Sequence, residues 1–132
     1  MIQITRELAD QIISHAKKEL PIEACGYLAG LDGVVLKTFE LNNIDNSPEH
    51  FSFDPAEQFK VYREARKLGI YILANYHSHP STPSRPSQED IRLANDPDIS
   101  YVIISLAEKK AVIKSFRIHD NQSKEEEFII IK

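Results

Sequence analysis

The chain has 132 residues, with 20 acidic and 16 basic side chains mixed along its length and a formal net charge of −4. That balance gives no basic face for a nucleic-acid partner. Hydrophobic residues make up 42% and charged residues 27%, an ordinary globular composition at a length suited to one domain over residues 1–132.

The first predicted element is a helix over Thr5–Leu20, where Leu8, Ile12, Ala16 and Leu20 fall at helical spacing and Ala9 and Ile13 widen the stripe. Thr5 suits its N-cap and Pro21 ends it. Two strands then span Glu23–Leu41, joined at the turn-forming pair Asp32-Gly33. NNIDNSPEH (Asn42–His50) reads as a loop. A second helix follows, with Asp54 as N-cap, Pro55 in the first position and Glu57 completing a capping box. Phe59, Tyr62, Ala65 and Leu68, with the Arg66 stem, form its predicted inner face, and Gly69 stops it. IYILANY (Ile70–Tyr76) reads as a buried strand and QEDIRLAN (Gln88–Asn95) as a short helix. SYVIISLA and AVIKSFRI form a hairpin around Glu108–Lys110, KEEE from Lys124 reads as a solvated turn, and EEFIIIK (Glu126–Lys132) as the last strand. The order α-β-β-α-β-α-β-β-β predicts an α/β (α+β) domain with helices against a mixed sheet.

Cys25, the one cysteine, excludes an intramolecular disulfide and a CxxC metal ribbon. It reads as a small buried hydrophobe. No apolar run reaches the roughly 18–20 residues of a membrane span. The first residues, MIQITRELAD, lack a basic region followed by an apolar stretch. The expected location is therefore the cytoplasm. His15, His50 and His119 read as packed or solvated side chains.

ANYHSHPSTPSRPSQEDIRLA, Ala74–Ala94, carries the chemistry. His77 and His79 follow directly on a predicted strand, and in extended backbone the side chains at i and i+2 share a face. Both imidazoles can then reach one cation roughly 2.0–2.1 Å from each nitrogen, as zinc requires. The alternative is a pair of surface histidines at a strand end. Ser87 and Asp90 also have a structural reading, as N-cap and first-turn acid of the next helix. The two readings are compatible, because a helix starting at Ser87 can aim Asp90 at the histidines. Two histidines and one carboxylate leave a fourth tetrahedral position open.

HSHPSTPSRPSQED matches H-x-H-x7-S-x-x-D through His77, His79, Ser87 and Asp90. It resembles the signature of the JAMM metalloproteases, the catalytic branch of the MPN domain family. PIEACGYLAG, NSPEHFSFDPAEQ, LGIYILANYHSHP and DISYVIISLA are similar to further family segments, so the likeness covers nearly the whole chain. The resemblance implies an MPN-type mixed, curved sheet flanked by helices, with one zinc ion per chain held by His77, His79 and Asp90. It selects Glu23, which residue type alone does not distinguish, as the general base that also returns a proton to the leaving amine. It assigns Ser87 to the oxyanion. The implied substrate is a ubiquitin-like or sulfur-carrier protein, cut at the amide after a C-terminal Gly-Gly, from a lysine side chain or an amino-acid adduct. The chain has the length of the compact prokaryotic members, without the inserted loops with which larger relatives grip chained ubiquitin. Asn75 stands where the family pattern has a small or apolar residue.

Two other readings compete. A noncatalytic MPN scaffold usually lacks metal ligands, all of which are present here. A zinc deaminase uses HxE followed by PCxxC, which HxH and a single cysteine do not match.

Overall fold

A computed structural model describes residues 1–131. The order is β1 (Ile2–Thr5), α1 (Arg6–Lys18), β2 (Cys25–Leu31), β3 (Val34–Leu41), α2 (Pro55–Lys67), β4 (Tyr71–His79), α3 (Gln88–Leu93), β5 (Ser100–Ser105), β6 (Val112–His119), β7 (Gln122–Glu126) and β8 (Phe128–Ile131). All eight strands join one sheet in the order β7-β6-β5-β4-β2-β3-β1-β8. Most neighbours are antiparallel, but β4 runs parallel to β5, and β1 runs parallel to both β3 and β8. The predicted mixed α+β architecture is therefore observed.

Local chemistry explains most element ends. The Thr5 side chain accepts from the Leu8 N–H and opens α1, while Asp54 accepts from Ala56 N–H and opens α2 with Pro55 behind it. Asp32 and Gly33, at φ 51° and 79°, make the tight β2–β3 turn. Gly69, at φ 73°, takes the left-handed conformation that stops α2.

Several expectations need correction. Ile2–Thr5 is a strand, and its alternation buries Ile2 and Ile4 between β3 and β8. KEEE is no turn: Lys124–Glu126 continue β7, which pairs with β6 along an edge where charged side chains tolerate solvent. Glu127 separates β7 from β8, and Lys132, the end of the predicted last strand, lies outside the described residues. The third correction concerns α2: of the predicted stripe only Ala65 is buried, and Val61, four residues before it, takes the other core position. Phe59 is 66% exposed and Leu68 52%. Finally, Glu57 makes no capping box; its carboxylate accepts from the Asn42 backbone and side chain at 3.0 and 2.9 Å. On α1, Leu20 lies beyond the helix and is exposed, while His15 joins Ala9, Ile12 and Ala16 on the buried face.

Strand alternation divides β4 between the two faces of the sheet. Ala74 and Tyr76 face the core formed with Ala9, Ile12 and Ala16 of α1 and Leu28, Val102 and Ile104 of neighbouring strands. Tyr76 pairs with Gly26 of β2, and a Cβ at Gly26 would meet the Tyr76 ring at 2.5 Å. Only glycine admits that ring. Asn75, His77 and His79 alternate to the other face.

Candidate active site

β4 remains extended through His79, so His77 and His79 share a face as i and i+2. Both are buried. In the sheet His77 stands between Cys25 of β2 and Ile103 of β5, and His79 beside Ser105. The proline-containing segment after His79 then turns back. Its carbonyl at Pro83 accepts from the His79 Nδ1–H at 2.9 Å. That bond selects the tautomer whose Nε2 carries a free lone pair.

Ser87 opens α3 with a reciprocal capping box. Its hydroxyl oxygen accepts from the Asp90 N–H at 3.0 Å, and its own N–H donates to Asp90 Oδ2 at 2.9 Å. The cap thus fixes the carboxylate it points toward the histidines. Asp90 Oδ2 lies 3.1 Å from His77 Nε2 and 3.1 Å from His79 Nε2, and the two nitrogens are 3.1 Å apart. Donors about 2.0–2.1 Å from a tetrahedral zinc stand roughly 3.3–3.4 Å from one another. The observed triangle fits such an ion with only small outward movement. His77, His79 and Asp90 therefore form a group that can hold a metal.

The electrostatics agree with that chemistry. Burial works against ionised Asp90, yet its close contacts with His77 and His79 hold its carboxyl well below the usual carboxylate range. Burial lowers His77, which favours the neutral ligand form. For His79 burial acts in the same direction, but bonds to Asp90 and Pro83 outweigh it and the net shift is upward. Phe51 stacks on the His77 ring at 4.7 Å between centroids and 25° between planes. It fixes the ring although His77 Nδ1 lacks a hydrogen-bond partner.

Glu23 sits two residues before β2 and is only 2% exposed. Burial pushes its carboxyl up to about 8, opposed by His79 and assisted by Asp90. Its Oε1 has no partner, so side-chain bonds to that atom do not position it. The backbone does. Glu23 N–H donates to Ser47 O at 2.9 Å, and Asn43 Nδ2 donates to Glu23 O at 3.1 Å. Asn43 also donates to His50 O and accepts from the Asp45 and Ser52 N–H groups, tying the loop together. At Ala24, the N–H donates to Ser78 Oγ at 2.7 Å while Ser78 N–H donates to Ala24 O at 3.0 Å. The residue between the two histidines thus holds the glutamate's segment against β4. Reading residues by type did not select Asn43 or Ser78; an asparagine in a glycine-free loop and the hydroxyl inside HxH are the only traces they leave.

Cys25 is buried and its thiol is pushed up to about 12 by burial, as suits a packing residue. His15 is packed, with Nδ1 2.6 Å from Tyr76 Oη; His50 bonds Asp45 near the surface, and His119 is exposed. A cleft of about 390 Å³ reaches the centre, lined by Phe51, Tyr62, Asn75, His77, Asp90 and Tyr101 among others.

The sheet and donor set define an α+β domain with a His-His-Asp group that could hold a metal and a buried glutamate coupled to it. The family model of prokaryotic homologues of the JAB domain matches residues 5–119, and the chain belongs to that family. It is 32% identical over its whole length to the CysO-cysteine peptidase of Mycobacterium tuberculosis, covering 92% of that protein. Over 71% of the chain it is 35% identical to the desampylase of Pyrococcus furiosus and 33% identical to a probable TtuB-protein conjugate cleaving protease of Thermus thermophilus, covering 68% and 64% of them. A solution structure of a Desulfitobacterium hafniense protein superposes with a TM-score of 0.91 at 51% identity, covering 98% of this chain and 92% of that one. The fold is also that of a JAB1/MPN domain protein from Archaeoglobus fulgidus, with a TM-score of 0.68 at 23% identity, covering 99% of this chain and all of the other. The MPN-type sheet expected from the resemblance is therefore the observed one.

Proposed function

We propose that the chain is a zinc-dependent peptidase or isopeptidase acting after the C-terminal Gly-Gly of a ubiquitin-like or sulfur-carrier protein. The observation that carries this reading is the 3.1 Å triangle of His77, His79 and Asp90 donors beside a buried glutamate. The relatives named as CysO-cysteine peptidase and TtuB-protein conjugate cleaving protease support the substrate class. They differ in what is released, a cysteine in one name and a protein in the other. Either leaving amine suits the same site.

When bound, zinc supplies Lewis acidity that polarises a carbonyl and acidifies water. His77, His79 and Asp90 would hold the ion. Glu23 takes a proton from the attacking water and hands it to the leaving amine. In the metal-free chain burial raises this carboxyl to about 8, which makes Glu23 a stronger proton acceptor than an ordinary carboxylate. The Ser87 oxygen accepts from Asp90 N–H, which leaves its own O–H to donate to the developing oxyanion. Capping and catalysis use different parts of one hydroxyl. None of the described helices is long and apolar enough to cross a membrane, and we place the reaction in the cytoplasm.

The test uses a sulfur-carrier protein ending in Gly-Gly with cysteine attached through an amide. Protein stripped of metal should release no cysteine, and one equivalent of zinc should restore release. Equal cleavage by stripped and reloaded protein would end the metallopeptidase reading.

A further inference from the structure

The row of the sheet one step before the metal ligands contains an unexplained polar group. Asn75 lies two residues before His77 on the same face of β4, paired in register with Tyr27 of β2 and Tyr101 of β5. Its Oδ1 is buried and has no hydrogen-bond partner. Neither flanking phenol serves it. Tyr27 Oη accepts from Gln58 Nε2 at 2.8 Å, and Tyr101 Oη donates to the Asp96 carbonyl and accepts from the Asp96 N–H, each at 3.0 Å. A buried acceptor without a donor is costly, and native proteins keep few of them. Asn75 lines the same cleft as His77 and Asp90.

Extended chains advance about 3.3 Å per residue, so Asn75 stands roughly 6.6 Å along β4 from the His77 row. That is two residues of an extended peptide whose scissile carbonyl lies at the metal centre. The charged lining of the cleft is Glu89, Asp90 and Asp96, with no lysine or arginine among the described residues. Such a lining disfavours an acidic segment and accepts a neutral or basic one. Resting on the peptidase reading above, we propose that Asn75 forms a binding subsite: a half-turn of its amide brings Oδ1 from its shielded position to the cleft, where it accepts a main-chain N–H from the acyl side of the substrate, about two residues before the scissile carbonyl. The acyl side is chosen because it is the part shared by substrates with different leaving amines. Asn75 would thus read backbone rather than side chain, which suits a tail of small residues.

The probe is a hexapeptide ending in Gly-Gly, amide-linked to a coumarin amine, with three analogues each N-methylated at one of the last three residues. In the zinc-loaded wild type, one position should lose roughly three- to tenfold in kcat/KM more than in Asn75→Leu, the scale of one neutral hydrogen bond. Asn75→Asp retains an acceptor and should retain that position-specific loss. Zinc content and melting of each variant establish that the comparison is between folded proteins. Identical N-methyl profiles in wild type and Asn75→Leu would overturn the subsite and leave the peptidase reading intact. If the wild type cleaves none of the probes, the same peptides are titrated into zinc-loaded protein by NMR. Asn75-dependent binding without cleavage would support the subsite and remove the hydrolytic reading. Binding indifferent to Asn75, or no binding at millimolar peptide, would overturn the subsite.

Discussion

Two histidine groups are built on neighbouring residues of β4, and they are solved in opposite ways. On the α1 face, His15 Nδ1 and Tyr76 Oη meet at 2.6 Å inside an apolar cluster. Burial lowers the histidine and raises the tyrosine, so both are neutral and each serves as the other's partner. On the opposite face, His77, His79 and Asp90 crowd three donor atoms into a 3.1 Å triangle, and His77 Nδ1, Glu23 Oε1 and Asn75 Oδ1 remain without partners. Each such atom costs about 1–3 kcal/mol relative to a satisfied one. A polar group kept only for structure is paired, as His15 is. Asn75 and His77 both line one cleft, and their unpaired atoms point to partners that the chain itself does not contain.

The largest effect that would break this contrast concerns Glu23. Glu23→Gln should retain zinc and the fold while turnover falls by about 10²–10⁴-fold, the usual contribution of a general acid–base group. Retained turnover would remove Glu23 from the chemistry, and loss of zinc would make it a ligand.

Ser87 comes next. Ser87→Ala should lower kcat by about 10²–10³-fold if its hydroxyl serves the oxyanion. The lost cap alone should cost about 0.5–2 kcal/mol. Ser87→Asp restores the cap but adds charge where the oxyanion develops. With zinc bound, it should melt near the wild type and turn over poorly. Near-normal kcat in zinc-bound Ser87→Asp would leave Ser87 as a cap only.

The α1 face should respond in the opposite sense. Tyr76→Phe removes the partner of a buried histidine and should cost about 1–3 kcal/mol of stability. Zinc content and kcat per folded molecule should not change. A tenfold fall in kcat would mean that the two faces are coupled.

A separate effect is a pH dependence of the metal-free protein. Glu23 is raised from an ordinary 4.5 to about 8, so between those values the folded chain holds a proton that the unfolded chain releases. Its contribution to stability is present below about pH 4.5 and is lost as pH rises toward 8. The melting temperature of metal-free Glu23→Gln should therefore fall less than that of the wild type between pH 5 and pH 8. Parallel curves would contradict a raised Glu23.

How much of this was legible depended on the range of each interaction. Ser87 and Asp90 sit three residues apart and His77 and His79 two apart, so local periodicity alone could bring each pair to one side. Joining the pairs took the return of the chain after His79, which a helix starting at Ser87 allows and residue spacing does not require. Glu23 is 54 residues from His77, and its place depends on Asn43 and Ser78, contacts that only the folded sheet creates. In α2 the nearby cleft claims Tyr62 of the predicted stripe, while the core takes Ala65 together with Val61. β1 is four residues long and acquires its partners from β3 and β8, the latter more than 120 positions away.

The most direct test of the contrast is zinc content by elemental analysis on protein purified without added metal. The site predicts about one zinc per chain in the wild type and in Tyr76→Phe, and none in His77→Ala or His79→Ala. Stoichiometric zinc in both histidine variants, or none in the wild type even after zinc is supplied, would contradict a metal centre built from His77, His79 and Asp90.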